Sequence, residues 1–201
     1  AQQVSAGAYY NCAVLADKTV KCWGRNHHKQ LGDGTTTDRS TPVTVSGVSN
    51  ASKVSISRWD DGISCALLDN GSVQCWGRKW AGFLGDGEKI YKASPVSVSG
   101  LSSASQGDAR DHTCVVQSGA VKCWGDGGNG RLGDGSTTNR SSPVSVSGIS
   151  TATKVTTGHS HSCALLDNKT VQCWGYGNYG QLGDGTTTYQ QLTPVVVSNL
   201  T

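Results

Sequence analysis

The chain has 201 residues, of which 15% are charged, and a formal net charge of +3. Its Lys and Arg residues are scattered along the chain, which argues against nucleic acid as the main partner. No apolar run reaches the roughly 18 residues that a membrane-spanning helix needs. With 27 Gly residues and a single Phe, the composition predicts a turn-rich, all-β protein. Methionine is absent and no leader-like stretch precedes Ala1, so we expect a mature or excised segment.

One segment of about 50 residues is repeated four times, which is the signature of stacked supersecondary units. No unit of this size with such short strands would be stable alone, so we predict a single domain over residues 1–201. The predicted repeats are 1–50, 51–103, 104–151 and 152–201, and near-copies of one motif begin at Cys12, Cys65, Cys114 and Cys163.

Each repeat contains four short strands by the alternation of its apolar residues and by its turn residues. In the second repeat the predicted strands are Ala51–Ile56, Ser64–Leu68, Ser72–Trp76 and Ser94–Val98. Pro95 has no backbone N–H, so we expect it at a strand start or on an edge strand. Four-stranded antiparallel units repeated around an axis predict a β-propeller-like array of four blades.

The eight Cys residues stand in the same two places of every repeat, which favours disulfides and an oxidising compartment. If Cys65 faces Cys75, a three-residue loop remains and Gly71 takes its left-handed position. The third repeat is one residue shorter, and facing its two Cys residues leaves the equally common two-residue loop. Zinc would need closely spaced ligand pairs and is disfavoured. The predicted intra-blade bridges are Cys12–Cys22, Cys65–Cys75, Cys114–Cys123 and Cys163–Cys173.

Positions that agree between repeats are predicted to be scaffold. Each repeat carries one Trp at the same place, which indicates an inter-blade core, and these residues are Trp23, Trp76, Trp124 and Trp174. The Gly-Asp-Gly turn of each repeat offers one carboxylate, too few for calcium, so we expect the Asp to bond its own backbone. Interchange of Tyr10, Ile63, His112 and His161 at one position is typical of a partly buried, structural site. No nucleophile, phosphate-loop or dinucleotide motif is present, so we predict no catalytic residue, no metal and no cofactor.

Two segments differ strongly between repeats, one before the second strand and one after the Trp-Gly pair. Equivalent loops of a propeller lie on the same face, so each set is predicted to form a composite ligand-binding surface, with ordinary variable loops as the alternative. Trp59 and Trp80 have no counterpart in the other repeats. The candidate binding residues are Tyr9, Tyr10, Arg58, Trp59, Asp60, Asp61, Trp80, Arg110, Asp111, His159, Tyr176 and Tyr179.

The motif Cys-Ala-Leu-Leu-Asp-Asn-Gly-Ser-Val-Gln-Cys-Trp-Gly at Cys65–Gly77, followed in the last repeat by Gly-Gln-Leu-Gly-Asp-Gly-Thr and Thr-Pro-Val, resembles the repeat of the regulator of chromosome condensation family. The resemblance implies a propeller of four-stranded blades. The family's usual ring has seven blades, so four repeats leave open a small closed ring, an incomplete arc, or a ring completed by another chain. Cys-paired repeats of this kind are similar to those of secreted or surface proteins of bacteria.

These features give three functional hypotheses. The first is a secreted or cell-surface (extracellular or periplasmic), non-enzymatic module that binds an extracellular glycan in an adhesive role. The second is a protein-binding module such as an enzyme inhibitor, since the resemblance includes an inhibitor of β-lactamase. The third is a guanine-nucleotide exchange factor of the eukaryotic kind, against which the disulfide pattern argues. A homo-oligomer and a part of a larger surface protein both remain compatible with the sequence.

Overall fold

The computed structural model describes residues 1–57, 62–78, 82–88 and 90–200, in which 16 strands form four antiparallel sheets of four. In every sheet each strand pairs with its neighbours in sequence, so every repeat is one blade. The all-β class and the four-stranded blades are therefore confirmed. The strands are β1 Gln3–Ala6, β2 Tyr10–Val14, β3 Val20–Gly24, β4 Arg39–Thr44, β5 Ala51–Ile56, β6 Ile63–Leu68, β7 Val73–Gly77, β8 Lys92–Ser97, β9 Ala104–Ala109, β10 His112–Gln117, β11 Ala120–Gly125, β12 Arg140–Ser145, β13 Ala152–Thr157, β14 His161–Leu166, β15 Val171–Tyr176 and β16 Gln190–Val196.

The central hairpin of each blade has the predicted register. Cys65 lies opposite Cys75, and the same facing pair recurs in the other three blades. All four predicted disulfides are formed. In the third blade Ser118 and Gly119 have φ of 50° and 81°, the two positive values that a two-residue hairpin loop of the favoured kind requires. The one-residue deletion in this turn has thus left the bridge in place.

The outer strand of the second blade begins earlier than predicted, at Lys92. Its register against β7 shifts between the pairs Cys75–Val96 and Gly77–Lys92, which leaves a bulge. Pro95 lies in this bulge on the edge strand, where no ladder bond needs its missing N–H. The expectation of an edge position is confirmed.

Successive blades are joined by the shared Trp. The indole nitrogens of Trp76, Trp124 and Trp174 each donate to a backbone carbonyl of the preceding blade at 2.9 Å. All three side chains are fully buried, as an inter-blade core predicts. The backbone of a Gly in the preceding blade contacts each indole ring closely. A Cβ on Gly32 would lie only 2.7 Å from the Trp76 Nε1, so a larger residue would clash there. Trp23 of the first blade is only half-buried.

Extensive packing among the described strands joins only successive blades. Three separate clusters of buried side chains fill the three junctions, and each combines residues of two adjacent blades. Blades 1 and 4 do not pack together as the internal pairs do. The described chain is therefore an arc with two end faces.

Candidate functional site

The two variable segments of each blade meet at one end of that blade. In every blade the amide just after the Trp-Gly pair donates to a carbonyl of the segment that precedes the second strand. Equivalent ends of successive blades lie side by side, so the segments form one surface, which we call the variable rim. The bonds run from the amides of Arg25, Arg78, Asp126 and Tyr176 to the carbonyls of Tyr9, Gly62, Asp111 and Ser160, at 2.9, 3.1, 3.4 and 2.8 Å.

In the first blade the rim carries a cation–π pair. The Arg25 guanidinium lies 5.5 Å from the centroid of the Tyr9 ring, and Tyr9 is 62% exposed. Such a pair holds a flat aromatic face and a positive charge together at the surface. The Tyr9 ring is thus exposed on the variable rim beside a positive charge.

Tyr10 faces the other way and does not belong to the rim. It is 2% exposed, and its hydroxyl donates to the Ile63 carbonyl of the second blade at 2.6 Å. Burial raises the pKa of the Tyr10 hydroxyl, so the phenol stays protonated and keeps this bond. The prediction that Tyr10 contacts a ligand is therefore wrong. The ring belongs to the inter-blade core, as the interchange of Tyr, Ile and His at this position indicates.

The second-blade candidates lie outside the described residues. They are Arg58, Trp59, Asp60, Asp61 and Trp80. Their flanking residues Gly62 and Arg78 are described and are joined by the rim hydrogen bond. The binding role of these five side chains stays a prediction.

A buried carboxylate orients an exposed imidazole between the third and fourth blades. The Asp111 Oδ2 and His159 Nδ1 are 2.6 Å apart, with 8% of the Asp111 side chain and 65% of the His159 side chain exposed. Arg131 donates to the His159 carbonyl at 3.1 Å and fixes the same loop. Burial, with a smaller contribution from Arg110, lowers the pKa of the neighbouring His161. The His159 ring is therefore exposed to solvent in a fixed orientation.

The fourth blade carries three Tyr rings in edge-to-face contact. Tyr176 lies 5.8 Å from Tyr179 and 5.4 Å from Tyr189, centroid to centroid, with interplanar angles of 73° and 89°. Tyr179 is 83% and Tyr189 57% exposed. The Tyr189 hydroxyl donates to the Asn129 Oδ1 of the third blade at 3.2 Å. These three residues, which we call the Tyr cluster, form an aromatic surface at the rim.

Tyr189 was missed in the sequence because it belongs to neither variable segment. Its equivalents in the first and third blades are Asp38 and Asn139, whose side chains accept the amides of Asn26 and Gly127. A Tyr side chain cannot make this cap, and the position holds Tyr in two of the four repeats, as Tyr91 and Tyr189. Interchange of a capping side chain with Tyr at this position is the signal available in the sequence.

One buried pair has the residue types of a nucleophile and its base but not the chemistry. The His112 Nε2 and Ser162 Oγ are 2.6 Å apart, and neither side chain is exposed. The Ser162 hydroxyl donates to the Arg131 carbonyl at 3.1 Å, and in that arrangement the imidazole donates to Ser162 through Nε2 and does not take its proton. Burial also lowers the pKa of His112, which keeps the ring neutral. The pair is a buried hydrogen bond that joins the third and fourth blades.

The Gly-Asp-Gly turns hold their Asp by local bonds, as predicted. The Asp33 carboxylate accepts the Thr35 amide at 2.9 Å and the Asn26 side chain at 3.1 Å, and it pairs with Arg39. Asp134 repeats this arrangement with Arg140. Among the residues that the structure describes, no cluster of three His, Cys, Asp or Glu side chains is placed to hold a metal.

The carboxylates of the Gly-Asp-Gly turns lead us to predict that the fold loses stability in acid. Burial acts to raise the pKa of Asp134, but hydrogen bonds from Arg140 and Ser136 outweigh it and lower the pKa below its ordinary value. A lowered carboxyl pKa stabilises the fold above about pH 4, and this stability is lost as the pH falls through the folded-state value. Asp134→Asn should cost about 1–3 kcal/mol at pH 7 and flatten the loss of thermal stability in acid. Asp167→Asn, at an exposed turn, is the control; equal effects of both variants would contradict the prediction.

Comparison with known proteins gives one consistent family. A model of the regulator of chromosome condensation (RCC1) repeat matches residues 19–59, 118–165 and 170–201, and a second RCC1 repeat model matches 1–30 and 152–181. The human E3 ubiquitin-protein ligase HERC2 is 28% identical over 99 residues, which are 49% of this chain and 2% of that protein. The Arabidopsis thaliana ultraviolet-B receptor UVR8 is 31% identical over 98 residues, which are 49% of this chain and 22% of the receptor.

Solved structures show the same fold. Yeast RCC1 (Prp20) bound to Kap60 has a TM-score of 0.81 and 24% identity, covering 96% of this chain and 48% of that one. Human WBSCR16 has a TM-score of 0.82 and 22% identity, covering 98% of this chain and 52% of that one. The four blades are therefore arranged as in about half of these longer chains. Within the described residues, no helix is long and apolar enough to cross a membrane.

Proposed function

Because the chain belongs to the RCC1 repeat family, we propose that it is a non-enzymatic binding module whose variable rim holds a protein partner. The Tyr cluster carries the proposal. Tyr and Arg are the residues over-represented in protein hot spots, and the rim presents Tyr179 and Tyr189 together with the Tyr9–Arg25 pair. The rings are held by one another and by Asn129, so little side-chain freedom is lost on binding.

The relatives support a protein partner. One solved relative, yeast RCC1, is described in complex with Kap60, and another study of Prp20p concerns its binding to Gsp1p and histones. The chain spans about half the length of these solved relatives and at most about a quarter of the curated ones, so their partners are not assigned to it. What carries over to the proposal is the use of a propeller surface for protein recognition.

We place the module in an oxidising compartment, secreted or at a cell surface. Four disulfides and no free Cys are the supporting observation. Thiol titration of the unfolded natural protein tests this placement. We expect no reactive thiol. Eight reactive thiols would indicate a reducing compartment and would favour an exchange-factor role.

A glycan ligand is the second candidate. Exposed aromatic faces beside planar polar groups, as at Tyr179 and at Arg25 with Tyr9, suit stacking on sugar rings. A broad glycan array separates the two candidates. Failure to bind any glycan, together with a stoichiometric protein partner recovered by affinity capture, is the expected outcome.

Substitution of the Tyr cluster should separate binding from folding. We expect Tyr179→Ala combined with Tyr189→Ala to weaken partner binding by about 2 kcal/mol or more, roughly 30-fold in Kd, because two exposed anchors are removed. The melting temperature should fall by only a few degrees, because both side chains are exposed and lose only the contacts with Tyr176 and the bond to Asn129. Val196→Ala, at a 56% exposed position on the outer strand, is the matched control. Binding that survives the double substitution would exclude the Tyr cluster as the site.

A further inference from the structure

Two of the internal blade junctions are closed by the same contact built on different rings. Between the first and second blades, the Ser64 hydroxyl donates to the Gln30 carbonyl at 2.9 Å and lies 3.3 Å from the Tyr10 hydroxyl. Between the third and fourth blades, His112 takes the place of Tyr10, and its Nε2 lies 2.6 Å from the Ser162 Oγ. The third blade therefore has an imidazole, whose ordinary pKa is about 6.5, where the first blade has a phenol.

The buried His112 ring has no acceptor for a second proton. The side chain is fully buried, and its Nδ1 has no hydrogen-bond partner among the described residues. Since Nε2 donates to Ser162, a proton added at Nδ1 would be a buried donor without an acceptor, and its charge would be cut off from water. Burial therefore lowers the pKa of His112 well below its ordinary value.

The charged groups around the ring also oppose its protonation. Four basic side chains face it, two from the third blade and two from the fourth, and they are Arg110, Arg131, His159 and His161. The Asp111 carboxylate pairs with His159 at 2.6 Å. The Asp126 carboxylate pairs with Arg131 at 3.5 Å. Neither carboxylate is bonded to the His112 ring, so no negative charge in contact with it would stabilise an imidazolium.

We propose that the junction between the third and fourth blades, which we call the switch junction, opens when His112 takes up a proton in mild acid. The blades stay closed while the ring is neutral, and opening lets water hydrate the imidazolium. A His whose pKa is lower in the closed state than in the open one destabilises the closed state as the pH falls below about 6.5. The turn carboxylates such as Asp134 act in a separate range, below about pH 4.

Opening of the switch junction would act on the variable rim. The rim contacts that cross this junction are the Asp111–His159 pair and the hydrogen bond from Tyr189 to Asn129. Mild acid would therefore separate the Tyr cluster from the third-blade part of the rim and weaken the binding of a partner that spans both. This consequence rests on the proposed function, whereas the opening itself does not.

Native-state amide hydrogen exchange between about pH 7 and pH 5 tests the opening. The Ala152 amide donates to the Gly119 carbonyl across the switch junction at 2.8 Å. The Ala51 amide donates to the Lys18 carbonyl across the first junction at 2.9 Å and is the internal control. After correction for intrinsic exchange rates, the opening constant at Ala152 should rise by about tenfold per pH unit below about pH 6.5, and that at Ala51 should change little. Equal pH dependence at the two amides, or none at Ala152, would overturn the proposal.

The repeats supply two variants that identify the titrating group. His112→Tyr copies the contact of Tyr10 with Ser64 in the first junction. His112→Ile copies Ile63, which is buried at the same position of the second blade. Circular dichroism at neutral pH shows which variants fold, and each folded variant should lose most of the pH dependence at Ala152. A folded variant with the pH dependence of the parent would exclude His112 as the titrating group.

Binding of a captured partner tests the link between the switch junction and the rim. The dissociation constant of the parent chain should rise by about tenfold between about pH 7 and pH 5.5, and that of His112→Tyr should change much less. The comparison of the two chains removes any titration of the partner itself. The same pH dependence for both chains would contradict the link to the rim, and it would leave the proposed binding site intact.

Discussion

Reduction of the four disulfides is expected to unfold the chain. Each bridge closes a loop of about ten residues, which by loop entropy stabilises the fold by about 2.5 kcal/mol. Four bridges contribute about 10 kcal/mol, and the total stability of a domain is about 5–15 kcal/mol. Without the bridges, the remaining contacts would therefore leave a free energy of unfolding close to zero. Thermal melts followed by circular dichroism, with and without a strong thiol reductant, measure the effect.

Single bridges provide the matched controls for this experiment. Replacing Cys114 and Cys123 together by Ser should cost about 2–3 kcal/mol and leave the other blades bridged. The same replacement at Cys12 and Cys22 should cost a similar amount, since that loop differs by only one residue. A fully reduced chain that melts within a few degrees of the oxidised one would show that the blades are held by packing alone.

Removal of a junction Trp is expected to be the most damaging single substitution. Trp124→Ala should cost about 3–5 kcal/mol, because it leaves a large cavity between the second and third blades and deprives the Phe83 carbonyl of its donor. For a chain of this length the loss corresponds to a fall in melting temperature of about 6–20 °C.

Two further variants identify the cause. Trp124→Phe keeps most of the ring volume and loses the indole N–H, so it should cost much less than the Ala variant. Trp23→Ala occupies the same repeat position at the half-buried end face and should cost the isolated chain less than Trp124→Ala. Equal losses at Trp23 and Trp124 would mean that the junction contact is not what stabilises the blades.

Repeat comparison predicted the scaffold well because each rule could be checked four times. The shorter turn at Ser118-Gly119 keeps Cys114 opposite Cys123, and the need to keep the bridge explains that constraint. The strand ends were less accurate. Lys92 extends the outer strand because a bulge absorbs the extra residues around Pro95, and alternation of side chains does not reveal a bulge.

The binding surface was predicted less completely, for two physical reasons. Tyr10 differs between repeats because the buried position tolerates any ring or branched chain that fills the junction, so variation there reflects packing. Tyr189 joins the rim through contacts with Tyr176 and Asn129, which are distant in sequence or in another blade. Neither variation nor local pattern distinguishes these two situations without the three-dimensional arrangement.

Hydrogen exchange in the presence of a captured partner tests the central claim most directly, namely that the variable rim binds and the repeated positions support it. The proposal predicts new protection at amides of the rim segments 25–29, 126–129 and 176–179 and around Tyr189. Protection confined to the outer strands β4, β8, β12 and β16, with the rim unchanged, would contradict it.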